Sequence, residues 1–240
     1  MTIFYQDEWV TLYHGDCRDV LPGLAPLCVS MTLTDPPYTD EVHLNSKRSY
    51  AGETRPFIDF DSIDEATLRA IFDQIGRVTQ GWVLATMAFD HTFVFKTTPP
   101  AGLKFVRAGV WVKTNTAPHV NQDRPPQGWE SIAMMHQAQW QGKYTWNGGG
   151  HSSVYTENFV THASQKTLGN KTSKPRPLYG AFIRHFSNPG DTILDPFCGV
   201  GTSLYVARLL GRKSIGIEID ERQCDAAAKS LQQNIMELAL

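Results

Sequence analysis

A doubly wound, mostly parallel α/β sheet carrying a loop-rich lobe is the fold class that this 240-residue sequence predicts. Three stretches carry the prediction. "DTILDPFCGVGTSLYVARLLGRKSIGIEID" reads as strand, glycine turn, helix, short loop and strand, a complete β-α-β unit. "LCVSMTLTDPPYTD" is a short apolar run stopped by a carboxylate and two prolines. Between these lies an amphipathic helical pattern followed by the apolar "WVLAT", so strands and helices alternate along the chain.

Taken in order, Cys28 to Leu33 suits a buried strand that delivers Asp35 at its carboxyl end. The polar, non-periodic "TDEVHLNSKRSYAGETRPF" then reads as a long loop. Ser62 and Glu65 form a capping box ahead of Ala66, Leu68, Ile71, Phe72 and Ile75, which share one helical face. After "WVLAT", two further strands are expected from Lys104 to Thr114 and from Glu130 to His136, separated by the turn-forming "NTAPHVNQDRPPQGW". From Gln137 to Thr172 periodicity is lost. Aromatic Trp140, Tyr144, Trp146 and Tyr155 alternate there with basic side chains, as a surface excursion or as stacking and phosphate contacts. Leu178, Phe182, Ile183 and Phe186 restore helical spacing until "NPG" ends it.

With 41% hydrophobic and 19% charged residues the chain can bury one full core, so residues 1–240 are expected to form a single domain. A net charge of −2 provides no global basic field, and any polyanion would have to meet a local patch. Cys17, Cys28, Cys198 and Cys224 form no C-x-x-C pair, which suggests reduced thiols in the cytoplasm, and their spacing with His and acidic residues suggests no metal site. No apolar run approaches the roughly 18 to 20 residues of a membrane span, so a soluble protein is expected.

The chemistry concentrates at two places. The Pro36-Pro37 pair has no backbone N–H and a fixed φ, so it holds bare carbonyl acceptors beside Asp35, with Tyr38 one residue on. In "DPFCGVGTS", Gly199 and Gly201 allow a tight turn, and Thr202 or Ser203 can open the helix. The third glycine of a dinucleotide fingerprint is missing, as is the Gly-Lys-Ser/Thr of a phosphate loop. Glu218 lies where an acidic residue takes ribose hydroxyls, and Asp195 before the turn would repel a pyrophosphate but accept an ammonium. A nucleoside joined to an amino acid meets these demands, and S-adenosylmethionine is such a ligand.

Together "DPPY" and "DPFCGVGTS" resemble the DNA amino-methyltransferases, which methylate exocyclic amines of adenine or cytosine. The tetrapeptide precedes the cofactor turn, as in the permuted β group of that family. "YHGDCRDVLPGL", "WVKTN" and "TSKPRPLYGAFIRHFS" occur where that group would put them. The resemblance implies a Rossmann-like methyltransferase fold in permuted order, with 115–171 as a target-recognition insertion. It implies that Asp35, Pro36, Pro37 and Tyr38 are catalytic. Asp195, Phe197, Gly199, Gly201 and Thr202 would shape the cofactor pocket, Glu218 would take the ribose, and Asp16 would reach the adenine with Cys17 beside it. Ser173 and Lys174 would lie near the methionine end, and Asp35 would also line the cofactor site. Cys17 and Cys198 can equally be small pocket fillers, and Lys174 a solvated charge.

The implied partner is double-stranded DNA, met through Lys143, Lys166, Lys171 and Arg176. The base would be flipped out and restacked on Tyr38, with Phe57 and Trp111 as further candidates. Adenine N6 is the expected target, as tetrapeptides beginning with Asp go more often with adenine, and cytosine N4 is the alternative. RNA or protein-glutamine methylation is a more distant one. The family often serves restriction-modification in bacteria or phage-infected cells, and its members often form homodimers. Methylation at cytosine carbon 5 is set aside, because the chain has no Pro-Cys dipeptide to present the nucleophile.

Overall fold

A computed structural model describes residues 2–37, 63–116, 125–158 and 174–238, with side chains up to residue 232. Among them a nine-stranded sheet is built from β1 (Thr2–Gln6), β2 (Val10–His14), β3 (Val29–Thr34), β4 (Thr79–Met87), β5 (Leu103–Val112), β6 (Trp129–Gln137), β7 (Val154–Thr156), β8 (Thr192–Asp195) and β9 (Lys213–Glu218). Its order is β1-β2-β9-β8-β3-β4-β6-β5-β7. The five strands from β2 to β4 in that order run parallel. β6 runs antiparallel to both β4 and β5, and β1 antiparallel to β2. The expected mostly parallel α/β sheet is therefore present.

Central strands such as β3 are buried on both faces, which is why "VSMTLT" shows no polar alternation. The helices are α1 (Cys17–Val20), α2 (Glu65–Val78), α3 (Phe89–Thr97), α4 (Arg176–Phe186), α5 (Thr202–Leu209) and α6 (Glu221–Leu238). One face packs Leu33, Leu84, Ile132 and Ile193 against Leu178 and Phe182 of α4, Leu204 of α5 and Leu231 of α6. The other packs Val83, Ala85, Met135 and Ile217 against Leu68, Phe72 and Ile75 of α2 and Phe95 of α3. Each fully buried side chain, such as Phe72 or Phe182, contributes about 1.5–3 kcal/mol of hydrophobic stabilisation.

α2 differs from expectation at its start. Its cap is Asp64, whose carboxylate accepts from Thr67 N at 2.8 Å, because the helix begins at Glu65 and a cap must directly precede it. Ser62 lies outside the described residues. The described part of the expected lobe packs onto the sheet and α4. Trp82 Nε1 donates to Thr145 O at 2.7 Å, and Asn147 Nδ2 donates to the α4-end carbonyls of Arg184 and Ser187. Tyr155 is buried edge-on to Phe182, with ring centroids 4.7 Å apart, so this aromatic serves packing.

Gly201 shows why the glycine turn needs its composition. Its φ of 77° lies in the left-handed region, and a Cβ there would sit 2.9 Å from the Ala227 Cβ of α6. Gly201→Ala should therefore lower stability by about 1–3 kcal/mol in a urea melt, from backbone strain and crowding, whereas an unchanged midpoint would contradict this account.

Candidate active site

β3 and β8 pair in parallel, with Met31 opposite Ile193 and Thr32 opposite Leu194. The ends of both strands therefore emerge together, and Thr34 Oγ1 donates to Asp195 Oδ1 at 2.9 Å. Beyond β8 the chain enters α5 on one face of the sheet, and beyond β3 it reaches α2 on the other. This is a topological switch point, where an open α/β sheet leaves a crevice at the carboxyl ends of its strands.

Asp35 stands at that edge with 23% of its side-chain surface open. Its Oδ1 accepts from Thr86 Oγ1 at 2.7 Å, and its Oδ2 from Lys174 Nζ at 2.6 Å. Burial pushes the carboxyl above its ordinary value, opposed by the Lys174 ammonium and reinforced by Glu130. A carboxylate accepts at about four lone-pair sites, so two remain for a donor entering from outside. Pro36 is buried and Pro37 half-buried behind it, while Tyr38 lies outside the described residues. Lys174 is only 8% exposed and is not a solvated charge, because Asp35 and Glu130 enclose its ammonium.

Asp195 is 2% exposed. Its Oδ1 also accepts from Phe197 N at 3.2 Å, and its Oδ2 accepts from Ser203 Oγ. Its carboxylate thus braces the end of β3, the turn and the first turn of α5, and does not project openly toward a ligand. Burial outweighs these donors and pushes its pKa up to about 7. Past the turn, Gly199 N donates to Glu218 Oε2 at 2.9 Å and Asp220 N to Oε1 at 2.8 Å. Gly199 has a φ of 54°, and Thr202 opens α5 directly after Gly201.

Gly15 N donates to Glu218 O at 2.9 Å, which carries Asp16 to the same edge. The Asp16 carboxylate caps α1 by accepting from Arg18 N at 2.8 Å, and it pairs with the Arg18 guanidinium. Burial pushes the Cys17 thiol up to about 12 and that of Cys198 well above its ordinary value, so both are neutral fillers. Ser173, Phe57, Lys166 and Lys171 lie outside the described residues. Trp111 is fully buried, with Nε1 donating to Glu157 O, and no base can stack on it. The Arg176 guanidinium lies 4.0 Å over the Tyr205 ring. Thr34, Thr86 and Glu130 went unanticipated. Each lies at or next to the end of a strand without any spacing signal, and only the assembled sheet brings Thr34 to Asp195, Thr86 to Asp35 and Glu130 to Lys174.

The family model described as "DNA methylase" matches residues 29–229. The chain is 26% identical over 251 residues to the type II methyltransferase M2.LlaDCHI of Lactococcus lactis subsp. cremoris, covering 96% of this chain and 92% of that enzyme. It is 24% identical over 249 residues to the type II methyltransferase M.HinfI of Haemophilus influenzae, covering 93% and 68%. Among solved structures, the M1.HpyAVI–SAM complex superposes with a TM-score of 0.69 at 19% identity, covering 92% of this chain and 99% of that one. PvuII DNA methyltransferase, described as cytosine-N4-specific, superposes at 0.72 with 16% identity, covering 95% and 88%. These two likenesses establish the fold.

Asp195 makes stability depend on pH. Its folded pKa of about 7 exceeds the ordinary 3.8, so its contribution is fully present below the unfolded value and is lost as pH rises through 7. Asp195→Asn removes this titration. Urea stability should therefore fall more steeply between about pH 4 and pH 7 in the wild-type protein than in the variant, and equal slopes there would contradict the assignment.

Proposed function

Because the chain belongs to the N6/N4 DNA methylase family, we propose that it methylates the exocyclic N6 amine of an adenine flipped out of double-stranded DNA, with Asp35 receiving the amine. The activity of the chain is S-adenosylmethionine-dependent DNA methylation. One observation carries the role given to Asp35: a partly open carboxylate at the end of β3 lies beside the glycine turn that follows β8, while the choice of adenine rests on the tetrapeptide's opening Asp. The order of these pieces along the chain supports placement in the permuted β group.

The residues present fit the cofactor. The positive-φ Gly199 and Gly201 leave a cradle that a side chain would strain, and Glu218 is held in place by two backbone N–H groups with lone pairs left for ribose hydroxyls. Asp195 braces the turn from behind and so sets the shape of the cofactor cradle, and Asp16 supplies a polar group at the adenine side. Phe197, Thr202, Cys17 and Ser173 complete the proposed pocket. S-adenosylmethionine supplies an electrophilic methyl group on sulfur when bound.

The target amine is a poor nucleophile, because its lone pair is delocalised into the base. Asp35 accepts one N–H and the Pro36 carbonyl the other, which favours a tetrahedral nitrogen with a free lone pair. Pro37 keeps this corner rigid, and Tyr38 stacks on the base. Once the nitrogen carries the methyl group, Asp35, raised by burial, is placed to take its surplus proton. Segment 115–171 is proposed as the target-recognition region through the loops that flank β6 and β7, because those two strands belong to the sheet. A homodimer, a cytoplasmic setting and a restriction-modification role agree with this reading. Among the described residues, no helix is long and apolar enough to cross a membrane. Cytosine N4 is the second reading, favoured by the likeness to the cytosine-N4-specific PvuII enzyme.

Two measurements test the proposal. Asp35→Ala should reduce single-turnover methylation on the order of a hundredfold to a thousandfold, with a much smaller loss of S-adenosylmethionine affinity by calorimetry. Equal losses would make Asp35 a cofactor residue. Digestion of treated DNA to nucleosides should give N6-methyladenine by mass, whereas N4-methylcytosine alone would transfer the same site to the other base.

A further inference from the structure

The ion network behind Asp35 reaches beyond Lys174. Glu130, the second residue of β6, places Oε1 2.6 Å from Lys113 Nζ and Oε2 3.3 Å from Lys174 Nζ, while Lys174 Nζ lies 2.6 Å from Asp35 Oδ2. Four charges of alternating sign therefore run from the end of β5 to the end of β3. They are largely shut off from solvent, with side-chain exposures of 14%, 15%, 7% and 23% from Lys113 to Asp35. Buried charges are costly unless partners offset their desolvation, and here each has one of opposite sign.

The two ends of the Lys174 contact differ. Toward Asp35 the ammonium makes a hydrogen bond. Glu130 Oε2 is buried and lies farther off, at 3.3 Å, where among the described residues it completes no well-formed hydrogen bond, so its attraction for Lys174 is chiefly Coulombic. An ammonium paired with Asp35 alone would be free to move across the carboxylate and compete with an incoming donor. It would also leave uncompensated positive charge beside an amine nitrogen that becomes cationic as it gains its methyl group.

We propose that Glu130 is a positioning residue for methyl transfer: by sharing the Lys174 ammonium it confines it to Asp35 Oδ2 and keeps the rest of that carboxylate open for the target amine. The inference rests on the reading that Asp35 receives the amine. Among the described residues the other titratable groups facing Asp35 are Asp195 at the end of β8 and Tyr179 in α4, whose phenol burial holds neutral. Neither is altered in the variants below.

Removing the negative charge of Glu130 makes Asp35 easier to ionise, since Glu130 raises that carboxyl. In single-turnover methylation of double-stranded DNA at saturating S-adenosylmethionine, Glu130→Gln should lower the plateau rate by on the order of tenfold to a hundredfold. Its acid limb should move to lower pH, and cofactor affinity by calorimetry should stay near wild type. An unchanged plateau overturns the inference, as does a lower plateau with an unmoved acid limb, which would leave Glu130 a purely structural role. Should Glu130→Gln fail to fold, Lys113→Gln decides. It frees Glu130 to pull harder on Lys174, so the acid limb should move to higher pH, and an unmoved limb refutes the inference. No methyl transfer by the wild-type protein would overturn the parent reading itself.

Discussion

The parallel pairing of β3 with β8 is the contact on which the site depends. Met31 and Ile193 lie far apart in sequence, and only this ladder makes them neighbours. A slip of one residue would turn Leu33 and Ile193 away from the α4 and α5 side and would rotate Asp35 out of the crevice. The Thr34 to Asp195 hydrogen bond marks the register in which Thr32 lies opposite Leu194. Burial on both faces makes that register costly to leave.

Three of the carboxylates along this edge differ in the set of donors that holds them. Glu218 is held by backbone N–H groups, whose positions follow from the turn itself. Asp195 is held by two hydroxyls and one N–H in an almost closed pocket, which makes it a brace. Asp35 is held by one hydroxyl and one ammonium and remains partly open. The gradation agrees with the roles proposed for these groups. Rigid backbone donors suit a group that orients a ligand, and a long side-chain cation beside an open carboxylate suits one that must meet a new donor.

Much of the frame was legible along the chain. The β-α-β unit around Gly199 and Gly201, the strand before Asp35 and the amphipathic α4 follow from periodicity and turn chemistry, which are local properties. β1, β2, α1, α3, β7 and α6 were not read; all but α6 are short, and short elements lack the periodicity that marks longer ones. The cap of α2 was misplaced by two residues, because Ser62 and Asp64 both have capping side chains and only the start of the helix chooses between them.

The sequence by itself determined which groups reach the crevice: Asp35, the proline pair, Asp195, the glycines and Glu218 all follow strands whose apolar runs end beside them. Tertiary structure alone decided what those groups touch. Lys174 became the partner of Asp35 because α4 begins over the end of β3, and Glu130 joined them because β6 runs antiparallel beside β4 and brings its first residues to the same edge. Neither contact has a sequence signal, since the partners lie far apart in the chain and each, read locally, is an ordinary charge near a strand or helix end. Burial turned them into a network, for charges enclosed together must find partners there.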